Sequence, residues 1–182
     1  MSPLYVPDLG TDRIDIYSYS NGNLKFKNFL PLPRKCGPRY IIFRNDHLYV
    51  INELSSSISV IKMKPTPNTV QNISTIPENT NVKNTCGTIQ YSKLGYIYAS
   101  NRGHNSIAIF KIMDNNLLEL QSIETTFGET PRHFQINEEC SKLYVANQDT
   151  NDIVSFRINE NKLIKENVVE CNSPNFILCL ND

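Results

Sequence analysis

Apolar and polar positions alternate along this chain in short bursts, and the bursts recur. The phrase Leu4-Tyr5-Val6-Pro7-Asp8 returns as Leu48-Tyr49-Val50-Ile51-Asn52, as Ile97-Tyr98-Ala99-Ser100-Asn101 and as Leu143-Tyr144-Val145-Ala146-Asn147, with starts 44, 49 and 46 residues apart. Ten residues after each start a second apolar stretch begins, at Ile14, Ile58, Ile107 and Ile153. Alternation with a period of two over short runs predicts strands. Self-similarity at roughly 40–50 residues, built from such strands, predicts a β-propeller with one four-stranded sheet per repeat.

Each repeat divides into four pieces. The first follows Pro-Arg, Gly or Pro-Asn and covers Pro38–Phe43, Gly87–Tyr91, Pro131–Ile136 and Pro174–Leu178. The Leu-Tyr-Val phrase is the second, and the stretches opening at Ile14, Ile58, Ile107 and Ile153 are the third. The fourth is more polar: Leu24–Phe29, Val70–Ile76, Leu117–Ile123 and Leu163–Val169. That gradient predicts an innermost strand lining a channel and an outermost strand facing water. Turn segments such as Asn21-Gly22-Asn23, Asp114-Asn115-Asn116 and Asn159-Glu160-Asn161 carry side chains that bond locally to the backbone. No helix is predicted, and Lys64 to Cys86 holds the longest loop-like interval. The expected fold is therefore all-β, a propeller of about four blades of four antiparallel strands spanning residues 1–182. Its first blade begins at its second strand. Residues 173–182 read as a closing strand able to complete that first blade, unless the chain is the C-terminal part of a larger propeller.

Composition narrows the function classes. Lysine plus arginine (18) equals aspartate plus glutamate (18), so the formal charge is +0 and gives no electrostatic case for nucleic acid or an anionic membrane. No apolar run approaches the roughly 20 residues of a membrane helix. The five cysteines, Cys36, Cys86, Cys140, Cys171 and Cys179, are odd in number and show no CxxC spacing. With Met1-Ser2-Pro3 leading directly into a strand pattern, free thiols and a cytoplasmic setting are expected.

Differences between repeats point to chemistry. Asp8, Asn52, Asn101 and Asn147 end the second strand in every copy, which marks a structural turn position. The next position holds Leu9, Glu53, Arg102 and Gln148. A repeating scaffold has no need of a carboxylate in one blade and a guanidinium in the next, and such residues sit at equal heights around one channel mouth, where they can converge on a ligand. Arg39 and Arg132 share a second repeated position, after proline at the start of the innermost strand, with Thr88 and Asn175 at the other copies. Arginines there suit bidentate binding of a carboxylate or phosphate; bonding to neighbouring blade carbonyls is the structural alternative. His104, two residues after Arg102, is a further channel-mouth residue, whereas His47 belongs to the Asn45-Asp46-His47 turn and is expected to face solvent. The histidines share no metal-like spacing with carboxylates or cysteines, and no nucleophile elbow or phosphate loop is present. The set implies an anionic substrate, with Glu53 as acid or base, Arg39 and Arg102 for binding and charge stabilisation, and Arg132, His104 and Gln148 as substrate-binding residues.

Several strings carry a family resemblance: Val6-Pro7-Asp8-Leu9-Gly10-Thr11-Asp12-Arg13-Ile14, Gly37-Pro38-Arg39, Asn52-Glu53-Leu54, Ser100-Asn101-Arg102-Gly103-His104-Asn105-Ser106-Ile107 and Pro131-Arg132-His133-Phe134. In order and across essentially the whole chain, they resemble the lactonase family of seven-bladed propellers. That family includes the propeller-type 6-phosphogluconolactonases and the 3-carboxy-cis,cis-muconate cyclases. The resemblance implies an active site at the channel mouth that needs no metal or cofactor and opens or closes a lactone on an anionic substrate. It carries the family's Gly-Pro-Arg arginine onto Arg39, its Asn-Glu-Leu glutamate onto Glu53 and its Asn-Arg-Gly arginine onto Arg102. It also places a catalytic histidine upstream of the Asp-Leu-Gly string, in a segment that would precede Met1. The expectation is a truncated member: a lactonase acting most readily on 6-phosphogluconolactone, with muconate cyclisation or an inactive binding module as alternatives, and with self-association through open blade edges.

Overall fold

A computed structural model describes residues 3–180. Fifteen strands form four antiparallel sheets, and no helix occurs among the described residues. The first sheet contains β1 (Pro3–Asp8), β2 (Arg13–Ser20) and β3 (Asn23–Pro31). The second runs β4 (Pro38–Arg44), β5 (His47–Asn52), β6 (Ser57–Lys62) and β7 (Asn68–Ser74). The third runs β8 (Thr85–Ser92), β9 (Tyr96–Arg102), β10 (Ser106–Ile112) and β11 (Leu118–Thr125). The fourth runs β12 (Pro131–Ile136), β13 (Lys142–Asn147), β14 (Asp152–Asn159) and β15 (Lys162–Glu170). The last three sheets each meander in chain order from an innermost to an outermost strand, and the innermost strands β4, β8 and β12 neighbour one another.

Period-two patterning explains how the sheets stack. The middle strands are apolar on both faces, so each sheet can bury one face against the sheet before it and the other against the sheet after it. In the third sheet Ile97, Ala99, Ala108 and Phe110 pack with Tyr49, Ile51, Ile58 and Val60 of the second. The alternate residues Tyr98, Ile107 and Ile109 pack with Leu143, Val145, Val154 and Phe156 of the fourth. A smaller cluster joins Ile14 and Tyr5 to Leu48, Val50 and Ile61 between the first and second sheets. Each fully buried side chain of this kind contributes about 1.5–3 kcal/mol. The β5 phrase is buried at every position, including His47. The expectation that His47 faces solvent is therefore corrected. It opens β5, and its ring Nδ1 lies 2.7 Å from the Asn45 carbonyl in the turn beside it.

A second repeated device was not foreseen. The residue preceding the third strand of every blade has positive φ: Asp12 (54°), Ser56 (51°), Asn105 (54°) and Asn151 (58°). Its carbonyl accepts an N–H from the residue just after the outermost strand, Leu32, Thr75, Thr126 or Cys171, at 2.9–3.0 Å. Its side chain holds the segment leading to the next innermost strand. Asp12 accepts from Lys35 and Gly37, Asn105 from Thr130, and Asn151 from Ser173, while the Ser56 hydroxyl donates to the Asn84 carbonyl. Each turn thus ties one sheet to the approach of the next.

The same latch determines the course of the C-terminal segment. Ser173 is held as Thr130 is, and Phe176 then stacks on His133 of β12 at 4.3 Å between ring centroids. The Ile177 N–H donates to His133 Nδ1 at 3.2 Å. Residues 174–180 carry no strand ladder and lie beside the fourth sheet instead of completing the first, which keeps three strands among the described residues. The remaining residues of the expected closing strand, 181–182, lie outside the described residues, as do residues 1–2.

Candidate active site

The post-asparagine positions come together where the strands of the second and third sheets end. Asn52 and Asn101 are fully buried and anchor those ends. Asn52 donates to the hydroxyls of Ser57 (3.0 Å) and Ser59 (2.8 Å). Asn101 donates to the Thr75 carbonyl (2.8 Å) and Ser106 Oγ (3.2 Å), and accepts from Thr75 Oγ1 (2.7 Å) and Asn84 (3.2 Å). The residue that follows each asparagine is thereby placed on a rigid strand end.

Glu53 is the centre of the resulting cluster. One carboxylate oxygen accepts from Arg39 Nη1 at 2.5 Å, and the other faces Arg102 Nη2 at 2.8 Å. The side chains of Glu53, Arg39 and Arg102 are 16%, 24% and 12% exposed, respectively. Arg102 Nη2 also donates to the Cys86 carbonyl at 2.8 Å. The Glu53 backbone is fixed on both sides, its N–H to the Gly37 carbonyl (2.7 Å) and its carbonyl to the Cys86 N–H (3.0 Å). Cys86 thus holds both partners through its backbone, while burial pushes its thiol up to about 12 and keeps it out of the chemistry. Burial also raises the Glu53 carboxyl, but hydrogen bonds and charge from Arg39 and Arg102 outweigh it and hold the group below its ordinary value. At neutral pH the cluster is a carboxylate between two guanidiniums, with a formal charge of about +1. The Nε atoms of Arg39 and Arg102 are buried and meet no acceptor.

Two glycines make this arrangement possible. Gly37 has φ +62°, and a Cβ there would meet Leu54 Cγ at 2.5 Å. Gly103 has φ +111°, and a Cβ would sit 2.1 Å from the Lys83 carbonyl oxygen, so the backbone passes this turn only as glycine.

The innermost strands add a feature that sequence reading missed. The register between β4 and β5 shifts between Pro38 and Tyr40, leaving Arg39 as the extra residue, and that between β12 and β13 shifts between Pro131 and His133, leaving Arg132. In β8 the shift spans Gly87 and Thr88. A bulge re-aims the extra residue's side chain, and in β4 this is how Arg39 reaches Glu53. The repeated Pro-Arg pair was the available signal.

The remaining expected site residues lie near the cluster without joining it. Arg132 Nη1 donates to Gln148 Oε1 at 3.4 Å. His104 binds Ser106 Oγ through Nδ1 (2.8 Å) and Asn84 through its backbone N–H (3.0 Å). One large groove, lined by Asn45, His47, Lys62 and Leu117, lies at the opposite ends of these strands. It is open and has no arginine clamp, so the candidate site is the Glu53 cluster.

The fold is that of a lactonase-type propeller. The family model "Lactonase, 7-bladed beta-propeller" matches residues 2–178, and the chain belongs to that family. An uncharacterised protein of Staphylococcus saprophyticus is 37% identical over 136 residues, 72% of this chain and 39% of its own length. A solved structure of a Lactobacillus plantarum protein superposes with a TM-score of 0.90 at 26% identity, covering 94% of this chain and 53% of that one. The structure of a provisionally named 6-phosphogluconolactonase from Bacteroides fragilis gives 0.85 at 26% identity, covering 95% and 53%. The chain thus spans about half, or less, of the proteins it resembles.

Proposed function

We propose that Arg39, Glu53 and Arg102 form the reacting centre of a lactonase acting on an anionic sugar lactone, with 6-phosphogluconolactone the leading substrate. The observation that carries this reading is a single ionised carboxylate clamped between two guanidiniums on rigid strand ends. In a hydrolytic cycle the lactone carbonyl oxygen meets one or both arginines, whose charge stabilises the oxyanion that forms when water adds to the carbonyl carbon. Glu53 accepts a proton from that water. The ring C–O bond then breaks, Glu53 passes the proton to the ring oxygen as it leaves, and the product is an open hydroxy acid whose new carboxyl group releases its proton to solvent and faces the arginines as a carboxylate.

The resting protonation state favours this over the cyclase alternative. Cyclisation of a muconate needs a proton donor for a carbon, whereas Glu53, ionised between two arginines, begins the cycle as a proton acceptor, which suits activation of water. The family membership and the named Bacteroides fragilis relative support the same substrate class.

The test is hydrolysis of 6-phosphogluconolactone by the purified 182-residue chain, measured above the spontaneous rate. The expected result is turnover that falls at least about a hundredfold in Arg102→Ala and Glu53→Gln. Turnover equal to buffer, or unchanged in both variants, overturns the proposal; binding without turnover assigns the chain to the binding-module class instead.

A further inference from the structure

We infer that Arg132 and Gln148 form a second anion subsite in the fourth sheet, two sheets along from Glu53, and that it takes the phosphate of a phosphorylated sugar acid or lactone. The inference rests on reading the Glu53 cluster as the lactone-opening centre.

The argument starts from repeat equivalence. Arg132 and Gln148 occupy in the fourth sheet the positions that Arg39 and Glu53 occupy in the second: a bulge in the innermost strand and the residue after the buried asparagine. The scaffold is the same and the chemistry differs. Arg39 faces a carboxylate at 2.5 Å, whereas Arg132 faces a neutral amide oxygen at 3.4 Å. Arg132 enters no ion pair among the described residues, although it is partly buried and aimed by the bulge. A guanidinium partly withdrawn from water and left without a counter-charge is a ready partner for an arriving anion.

Position supplies the second part. The strand β8 serves both sites. Its Cys86 carbonyl fixes Arg102, and two residues on the Thr88 hydroxyl donates to the Arg132 carbonyl at 3.3 Å. Between them Gly87 lets the strands close up, since a Cβ there would sit 3.0 Å from the carbonyls of both Pro131 and Arg132. The subsite therefore flanks the Glu53 cluster along the same rim. A phosphorylated sugar lactone carries its carbonyl and its phosphate at opposite ends, so one group can meet the clamp while the other meets Arg132. The charges match as well: the clamp, at about +1, suits one carboxylate, and Arg132 adds the positive charge a phosphate needs.

Calorimetric titration with two products that are not turned over tests this directly. Gluconate presents a carboxylate alone, and 6-phosphogluconate presents a carboxylate and a phosphate. The chain should bind 6-phosphogluconate more tightly than gluconate, and this preference should shrink about 10- to 100-fold in Arg132→Ala. Gln148→Glu supplies an internal counter-charge, keeps the side-chain shape and should shrink it likewise, while Arg132→Lys should retain part of it. Melting curves of each variant check that the fold survives. A preference that persists in Arg132→Ala and Gln148→Glu, or no preference in the unaltered chain, overturns the inference. If turnover is absent but the phosphate preference follows Arg132, the lactonase reading falls and the subsite stands.

Discussion

Glu53→Gln is the perturbation that most directly interrogates the arginine clamp. The substitution keeps the side chain's shape and removes the one negative charge that lies between Arg39 and Arg102, at 2.5 and 2.8 Å. Two charge-assisted hydrogen bonds are weakened, each worth about 1.5–3 kcal/mol when removed from water. The guanidiniums, 24% and 12% exposed, are left facing each other across a neutral amide. Residual solvent screening discounts the sum, and a net destabilisation of about 2–4 kcal/mol remains. For a chain of this size that corresponds to a melting temperature lower by roughly 5–15 °C. The assay is thermal unfolding at neutral pH, with urea denaturation as the second measure. Because the defect is a missing anion, 6-phosphogluconate should recover part of the lost stability in the variant. Arg102→Ala should cost more than Arg39→Ala, since Arg102 is the more buried and also binds the Cys86 carbonyl. A melting temperature within about 2 °C of the parent would refute the reasoning, because it would mean that solvent already screens the pairs.

Four further outcomes follow from particular residues. Gly103→Ala should destabilise the chain by at least about 2 kcal/mol and disturb Arg102, because its Cβ would overlap the Lys83 carbonyl at φ +111°; urea denaturation with unchanged stability would contradict this. Asn101→Ala should cost about 2–4 kcal/mol by orphaning the Thr75 carbonyl in a fully buried site and leaving the Thr75 hydroxyl with the Ser56 carbonyl as its backbone acceptor, whereas Asp8→Asn, which keeps an acceptor for the Gly10 and Thr11 N–H groups of an exposed turn, should be nearly neutral in the same measurement. Burial lowers the His133 pKa from its usual 6.5, so the unfolded chain binds the proton more readily; the stability this contributes is present above pH 6.5 and is lost as pH falls through the lowered value. Amide exchange at Ile177, which donates to His133 Nδ1, should accelerate over that window, and a flat profile would count against it. The 182-residue chain alone should self-associate, because β1 leaves one edge unpaired among the described residues, with Leu4 and Val6 exposed on it and Phe26 and Phe29 exposed on β3 of the same sheet; a monodisperse monomer by light scattering would refute this.

Local pattern determined a large part of this protein. Period-two alternation with apolar residues on both faces of the second and third strands demands sheets covered on both sides, and the 44- to 49-residue recurrence demands that the covers be further copies of the same sheet. Comparing copies at one position was enough to single out Glu53 and Arg102, because a scaffold requirement repeats and a chemical one does not. Tertiary structure alone decided how those residues meet. That Arg39 reaches Glu53 depends on a bulge, which is a register shift between strands and leaves no mark in either strand's own periodicity. That the Cys86 backbone braces both Glu53 and Arg102 depends on bonds made by main-chain atoms that every residue possesses, which are therefore invisible in side-chain identity. The burial of His47 and the path of residues 174–180 were decided in the same way: the pattern named strands and turns, but the packing of one sheet on the next determined which turn was covered and which neighbour the last segment followed.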